Sequence, residues 1–361
     1  MDQYIADVLN LRSHLNQTCI SQTMISFKRL YSFLLKPAAE RRTTARFMTT
    51  MWFAKFSYAP HRVRLIVGPT ERLKFWWSYF PANFSVDRGM FDYWGDDVGE
   101  LRFLWKYLKP GMTFLDIGAF HGIYSVIAAR RLGAGSRVVA FEPSPRERRR
   151  LRLHLRYNGI NAVVVEPYAV AAEGGEAALT VVGDGYQTMN SLRSPAVDHH
   201  VQRQQIVVQT IALDEYLCRN QIDNVDFMKI DAEGGEIQIF NGAKTLLSRL
   251  RPLIICEVLD KVTRPWGYPA REIVERLHTY DYGWFEILPD GSLLPHHPRN
   301  EYPEEVRNFL AVPHEKQKDL QYNHFPESMV DIIPGQRGSL LKKWFTYQDI
   351  VSRLNVRRHW K

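Results

Sequence analysis

Short apolar runs alternate with helical stretches through the middle of this chain, and that alternation restricts the fold more than any other feature. The runs are TFLDIG, RVVAFEP, AVVVEPYAV, VDFMKIDAEG and PLIICEV, with helical segments YSVIAARRL, PRERRRLRLHLRYNG, EIQIFNGAKTLLSRL and AREIVERLHTYD set among them. Buried runs separated by helices specify βαβ units, so the fold class is α/β with a mostly parallel sheet covered by helices on both faces. A longer insertion, Glu173 to Gln209, reads as loops or an antiparallel excursion. GWFEILPDGSLLP reads as a hairpin turning at Asp290 and Gly291, and RNFLAVP as one more strand. Upstream, Leu101, Leu104, Trp105 and Leu108 fall on one helical face in an otherwise aromatic-rich stretch. Residues 1–58 are expected to form a helical N-terminal extension, 59–316 the α/β domain, and 317–361 a basic C-terminal tail.

In a sheet of this kind ligands sit beyond the carboxyl ends of the strands, so the residues that close each run deserve inspection. They are Asp116, Glu142, the stretch Pro167 to Ala169, Asp231 and Glu257, and four of the five ends are acidic. Such a rim repels a nucleotide diphosphate, and the first loop, GAFHG, lacks the GxGxxG spacing that admits a pyrophosphate. A ligand with a cationic amino-acid end and a ribose fits better, which is S-adenosylmethionine. Gly118 and Gly122 would let the loop backbone approach its methionine portion, and Asp116 would face its ammonium. Glu142, at the end of the second strand, would accept both ribose hydroxyls, and Tyr168 and Ala169 would lie along the adenine edge.

With these residues in view the chain resembles the FkbM-type S-adenosylmethionine-dependent methyltransferases. The resemblance rests on FLDIGAFHGIYS, VVAFEPSP, LRYNGI, VQTIALDEYL, VDFMKIDAEGGEIQIFNGA, RPLIICEV and RNFLAVP, in that order, and spans roughly Val63 to Pro313. It implies a Rossmann-like class I methyltransferase fold with a seven-stranded sheet. The activity it implies is methyl transfer to a hydroxyl of a sugar, glycan or secondary metabolite. The family usually carries Asn after the Gly-Ala of the first loop; here Phe120 and His121 follow, and His121 is the residue to take over that cofactor contact. Ser191, in NSL, matches a position the family commonly keeps and is expected to touch acceptor or cofactor.

Transfer of a methyl from a sulfonium to an alcohol requires the acceptor oxygen to be held in line and its proton to be removed. KIDAEGGE supplies the carboxylates: Asp231 facing the methyl, with Glu233 and Glu236 following where a starting helix places them on one side. Crowding of like charges raises a carboxyl pKa and favours a base. Glu257 is expected to join them from the fifth strand on the acceptor side. Three acids together are able to hold Mg²⁺ or Ca²⁺, but nothing else in the sequence marks a metal, and none is expected.

Composition narrows the partners. The 361 residues are 45% hydrophobic and 24% charged, enough for a sizeable core, and 47 basic against 39 acidic residues give a net charge of +8. That balance is an ordinary solvated surface, and the arginines beside Leu151 and Leu155 in RERRRLRLHLRYNG are expected to point outward while the leucines meet the sheet. Nucleic acid is not an expected partner: the fourth strand lacks an NPPY-like end, and Cys256 sits inside its strand. Cys19, Cys218 and Cys256 are widely spaced, which fits a reducing cytoplasm, and no apolar run is long enough to span a bilayer. The basic, aromatic tail from Leu341 to Leu354 would suit a peripheral membrane contact, and a homodimer is a further contact the tail allows. A different class of reading also stands, a non-catalytic scaffold that keeps the methyltransferase fold and binds membrane, RNA or a partner enzyme through that tail.

Overall fold

The computed structural model describes residues 60–66, 72–78, 98–183, 187–193, 195, 201–288, 291–303 and 308–322. The expected N-terminal helices, His199 and His200 of the insertion, and the tail beyond Tyr322 lie outside the described residues. The chain divides after His314, and the fold below, apart from its last helix, belongs to the unit before that point.

The elements run β1 (Pro60–Ile66), β2 (Arg72–Ser78), α1 (Val98–Tyr107), β3 (Thr113–Ile117), α2 (Ile123–Leu132), β4 (Arg137–Phe141), α3 (Pro145–Tyr157), β5 (Val163–Glu166), β6 (Ala169–Val170), β7 (Gly175–Val182) and β8 (Arg203–Ile211). There follow α4 (Leu213–Arg219), β9 (Phe227–Ile230), α5 (Glu236–Asn241), β10 (Leu253–Glu257), α6 (Asp260–Thr263), α7 (Arg271–His278), β11 (Tyr282–Ile287), β12 (Leu293–His296), β13 (Asn308–Pro313) and α8 (His314–Tyr322). The main sheet has the order β12-β11-β13-β10-β9-β3-β4-β5. From β10 to β5 every neighbour is parallel, and β13 enters antiparallel between β10 and β11. That is the Rossmann-like class I methyltransferase arrangement, with one change from the expected seven strands. The hairpin at 282–296 closes with β12 paired to β11, which makes an eighth.

Alternation along the strands sorts the core into two layers. Leu115, Ile117, Met228, Ile230, Ile254 and Cys256 share one buried cluster with Leu213, Tyr216, Phe240, Leu246 and Ile273. Phe114 and Phe227 project to the other face, where Phe227 meets Phe103 and Tyr107 of α1 at ring distances of 6.2 and 5.5 Å. Leu151 and Leu155 are buried as their spacing requires, and each such side chain contributes about 1.5–3 kcal/mol of burial.

Two local expectations fail for identifiable reasons, and one pair of strands was not foreseen. AVVVEPYAV is not one strand: Pro167 has no N–H to continue a ladder, so β5 stays in the main sheet and β6 joins β8 and β7 in a separate three-stranded sheet. EIQIFNGAKTLLSRL is not one helix. A Cβ on Gly242 would stand 2.3 Å from the Ala171 carbonyl oxygen, and Asp214 caps a second start by accepting from the N–H groups of Thr245 and Leu246. The aromatic-rich stretch after residue 60 contains two paired antiparallel strands, β1 and β2, which were not read from the sequence although Val63 and Leu65 alternate with Arg62 and Arg64, and Leu73 and Phe75 with Arg72 and Lys74.

Candidate active site

The order of the main sheet reverses between β3 and β9, because the chain runs outward from β3 through β4 to β5 and then returns to the other side. A crevice opens beyond the carboxyl ends of strands at such a point. A small cleft, open to solvent, lies there, lined by Asp116, Gly118, Ala119, Phe120, His121, Gly122, Ile123, Tyr124, Lys229 and Asp231.

Backbone geometry explains the loop that forms its wall. Gly118 has φ 74°, and a Cβ there would come within 1.8 Å of the Asp231 carbonyl oxygen, so the loop after β3 and the end of β9 meet main chain to main chain. Gly122, at φ 78°, starts α2 with its Cα against Leu151, whose side chain a Cβ would meet at 2.8 Å. Packing alone therefore requires both glycines.

Asp116 is buried, and Ser125 of α2 donates to its Oδ2 at 2.5 Å. Burial raises its pKa to about 6, against the opposing pull of the Ser125 hydrogen bond and the Lys229 charge. Lys229, 1% exposed, donates from Nζ to Asp231 Oδ2 at 3.2 Å and to Asn308 Oδ1 at 2.8 Å, with its ammonium 5.4 Å from the Tyr124 ring. Neither Ser125 nor Lys229 was assigned a role from the sequence. Lys229 had a visible signal, since a lysine inside an otherwise apolar strand run must find a buried counter-charge, and Asp231 two residues on shares its face.

Glu142 sits at the end of β4 with both oxygens engaged. The N–H of Phe120 donates to Oε2 and that of Ser144 to Oε1, each at 2.8 Å. Burial raises its pKa to about 8 despite those two donors. Glu142 thereby ties the first loop to the second strand, and it is not among the residues lining the cleft; nor are Tyr168 and Ala169, which pack into apolar clusters near β6 and β8. His121 lines the cleft, but its Nε2 lies 3.0 Å from Glu147 Oε2, its ring stacks on Phe120 at 3.6 Å, and burial lowers its pKa. Its backbone carbonyl oxygen lies 2.7 Å from His154 Nδ1.

Beyond β9 the turn Ala232–Gly235 carries Glu233, with Asp231 before it and Glu236 after it, and is clamped from three sides. Ser191 and Trp266 donate to the Glu233 carbonyl at 3.1 and 3.0 Å, and Tyr268 donates to that of Gly234 at 2.6 Å. Glu233 itself adopts φ 50°, a conformation an L-residue keeps only when its surroundings hold it there. Ser191 thus grips the turn. Glu236 is fully buried; its Oε1 accepts from the Ala232 N–H at 3.0 Å, and burial raises its pKa to about 7. Asp231, Glu233 and Glu257 do converge, each placing a carboxylate oxygen within 4.8 Å of the others. Glu257 is 7% exposed, and burial together with the charges of Asp231, Glu233 and Glu236 drives its pKa well up.

The model of the Methyltransferase FkbM domain family matches residues 116–322, from the first strand-end acid to the last described helix. Among solved structures the chain is similar to a methyltransferase FkbM from Methylobacillus flagellatus KT, at 14% identity and TM-score 0.36, with 64% of this chain aligned to 60% of that one. It is also similar to an O-methyltransferase from Bacillus cereus in complex with SAH, at 17% identity and TM-score 0.34, covering 61% and 80% of the two chains. A third is the O-methyltransferase TomG from Streptomyces achromogenes, in complex with SAM, at 14% identity and TM-score 0.34, covering 65% and 91%. No curated protein matches the chain. With more than half of its 361 residues under the family model, the chain belongs to the FkbM methyltransferase family.

Proposed function

We propose that this chain transfers a methyl group from S-adenosylmethionine to a hydroxyl of a sugar, glycan or secondary metabolite. The observation that carries the reading is the pair Asp116 and Asp231 on adjacent strand ends, lining one cleft at the point where the sheet order reverses. In a member of this family, two acids and a glycine-built wall suit a ligand whose amino-acid end is cationic.

When bound, the cofactor supplies an electrophilic methyl on a positively charged sulfur. The chain's part is to hold the acceptor and remove its proton. Lys229 fixes Asp231 by its Oδ2, and the three-sided clamp on Glu233 and Gly234 fixes the turn beside it. Asp231 and Glu233 are partly exposed and are the groups we assign to orienting and deprotonating the hydroxyl. Glu236 has no such access; its carboxyl holds the turn through the Ala232 N–H, and we assign it to support.

Labelled methyl transfer onto a panel of glycans and polyhydroxylated metabolites tests this reading. The expected product is a methyl ether, which survives alkaline hydrolysis. A base-labile methyl ester would move the acceptor to a carboxylate, and no incorporation on any hydroxylated acceptor would remove the reading.

A further inference from the structure

Glu257 poses a problem that the transfer reaction does not solve. Its side chain is more than nine-tenths buried at the end of β10, and its Oε2 has no hydrogen-bond partner. Buried polar atoms in folded proteins are almost always satisfied, and an exception asks for an explanation. The nearest charged groups deepen the problem, because they include the carboxylates of Asp231 and Glu233, which repel a charge on Glu257.

We propose that Asp231, Glu233 and Glu257 form a binding site for a hard divalent cation, magnesium, manganese or calcium. One oxygen from each residue lies within 4.8 Å of the others. At the 4.8 Å limit three mutually equidistant oxygens stand about 2.8 Å from their common centre, a few tenths of an ångström beyond a calcium–oxygen bond of about 2.3–2.6 Å, so all three reach one ion with a small inward shift. The donor set is carboxylate only, with neither histidine nor thiolate, which selects oxygen-preferring ions over zinc or copper. Lys229 takes Asp231 Oδ2 and leaves Oδ1 for the ion. Asp231 and Glu233 are partly exposed, so water or an acceptor oxygen can complete the shell from the cleft side, while Glu257 closes the buried side. The cation gives the buried Oε2 the partner it lacks. The sequence already suggested that Glu257 joins the other acids, but nothing else in it marked a metal; the parallel pairing of β9 and β10 brings the two strand ends together.

The site is a property of the chain and can be read without cofactor or acceptor, so its failure is separate from any failure of methyl transfer. The full-length protein, stripped with EDTA and desalted, is titrated with MnCl₂ and with CaCl₂ by calorimetry, with free Mn²⁺ followed by electron paramagnetic resonance. The expected result is about one ion per chain with a dissociation constant between about 10 µM and 1 mM. Glu257→Gln is expected to weaken binding at least about tenfold while the far-ultraviolet circular dichroism is unchanged. Should that variant fail to fold, Asp231→Asn provides the same readout from the exposed side. Saturable binding lost in a folded variant supports the site. Absence of saturable binding to the wild type up to about 10 mM, or wild-type affinity in every folded variant of the three acids, overturns it.

Discussion

Replacing Glu236 by Gln should make the protein more stable at alkaline pH, and the size of the gain follows from its burial. The carboxyl is fully buried, accepts from the Ala232 N–H, and lies 3.4 Å from the Tyr268 hydroxyl. Its pKa rises from 4.5 to about 7, chiefly through desolvation, with the Asp231 charge adding to it. The folded state therefore holds this proton more tightly than the unfolded chain. The stability it contributes is fully present below pH 4.5 and is lost as pH rises through 7. At roughly 1.4 kcal/mol per unit, the loss amounts to about 3 kcal/mol by pH 8. A glutamine keeps the acceptor oxygen for Ala232, offers an N–H₂ toward Tyr268, and cannot ionise. Urea unfolding of both proteins at pH 5 and pH 8 measures the difference. The two should agree within about 1 kcal/mol at pH 5, and the variant should be the more stable by about 3 kcal/mol at pH 8. Asp116 and Glu142 titrate in both proteins and cancel in the comparison, whereas Glu257 loses the repulsion of the Glu236 charge in the variant, which adds to the variant's gain at pH 8. A variant no more stable than wild type at pH 8 would mean that Glu236 is charged at little cost, and the supporting role given to it would fail.

Other outcomes follow from the same contacts. Gly118→Ala forces a Cβ against the Asp231 carbonyl oxygen at a positive φ and should cost about 3 kcal/mol or more, read as a lowered urea midpoint; an unchanged midpoint would mean the loop yields freely. Glu142→Ala leaves the Phe120 and Ser144 N–H groups without their acceptor and should cost about 1–3 kcal/mol for each that stays buried, with faster amide exchange at both; native exchange rates there would contradict it. Glu233→Gln should lower turnover about a hundredfold with cofactor affinity kept within a few fold, whereas Glu236→Gln should keep most of the turnover; equal losses in both would undo the distinction between the acid that reacts and the acid that supports.

Much of the fold was legible because hydrophobic periodicity is a local signal. TFLDIG, RVVAFEP, VDFMKIDAEG and PLIICEV each became a strand, and the strand-end acids could be named from where those runs stop. What the sequence hid depends on partners distant in the chain. Pro167 announced its own break, but Gly242 is forced by the Ala171 carbonyl, some 70 residues earlier. At the site, Asp116, Gly118, Gly122 and Asp231 were grouped by reading strand ends and the loop after the first, His121 was added by the family resemblance, and all five line one cleft. The direction of each side chain was not legible. His121 turns to Glu147, Ser191 to the Glu233 carbonyl, and Glu236 inward, because each is captured by a group that no spacing rule connects to it. Among the described residues no helix is long and apolar enough to cross a membrane.

The central claim is that the cleft between the β3 loop and the end of β9 holds S-adenosylmethionine, and calorimetric titration of that cofactor into the full-length protein tests it most directly. The wild type is expected to bind about one molecule per chain at micromolar affinity. Asp231→Asn removes one of the two acids lining the cleft and keeps the side chain's shape, and it should weaken binding about tenfold or more. Absence of heat at millimolar cofactor, or wild-type affinity in the folded Asp231→Asn protein, would contradict the account.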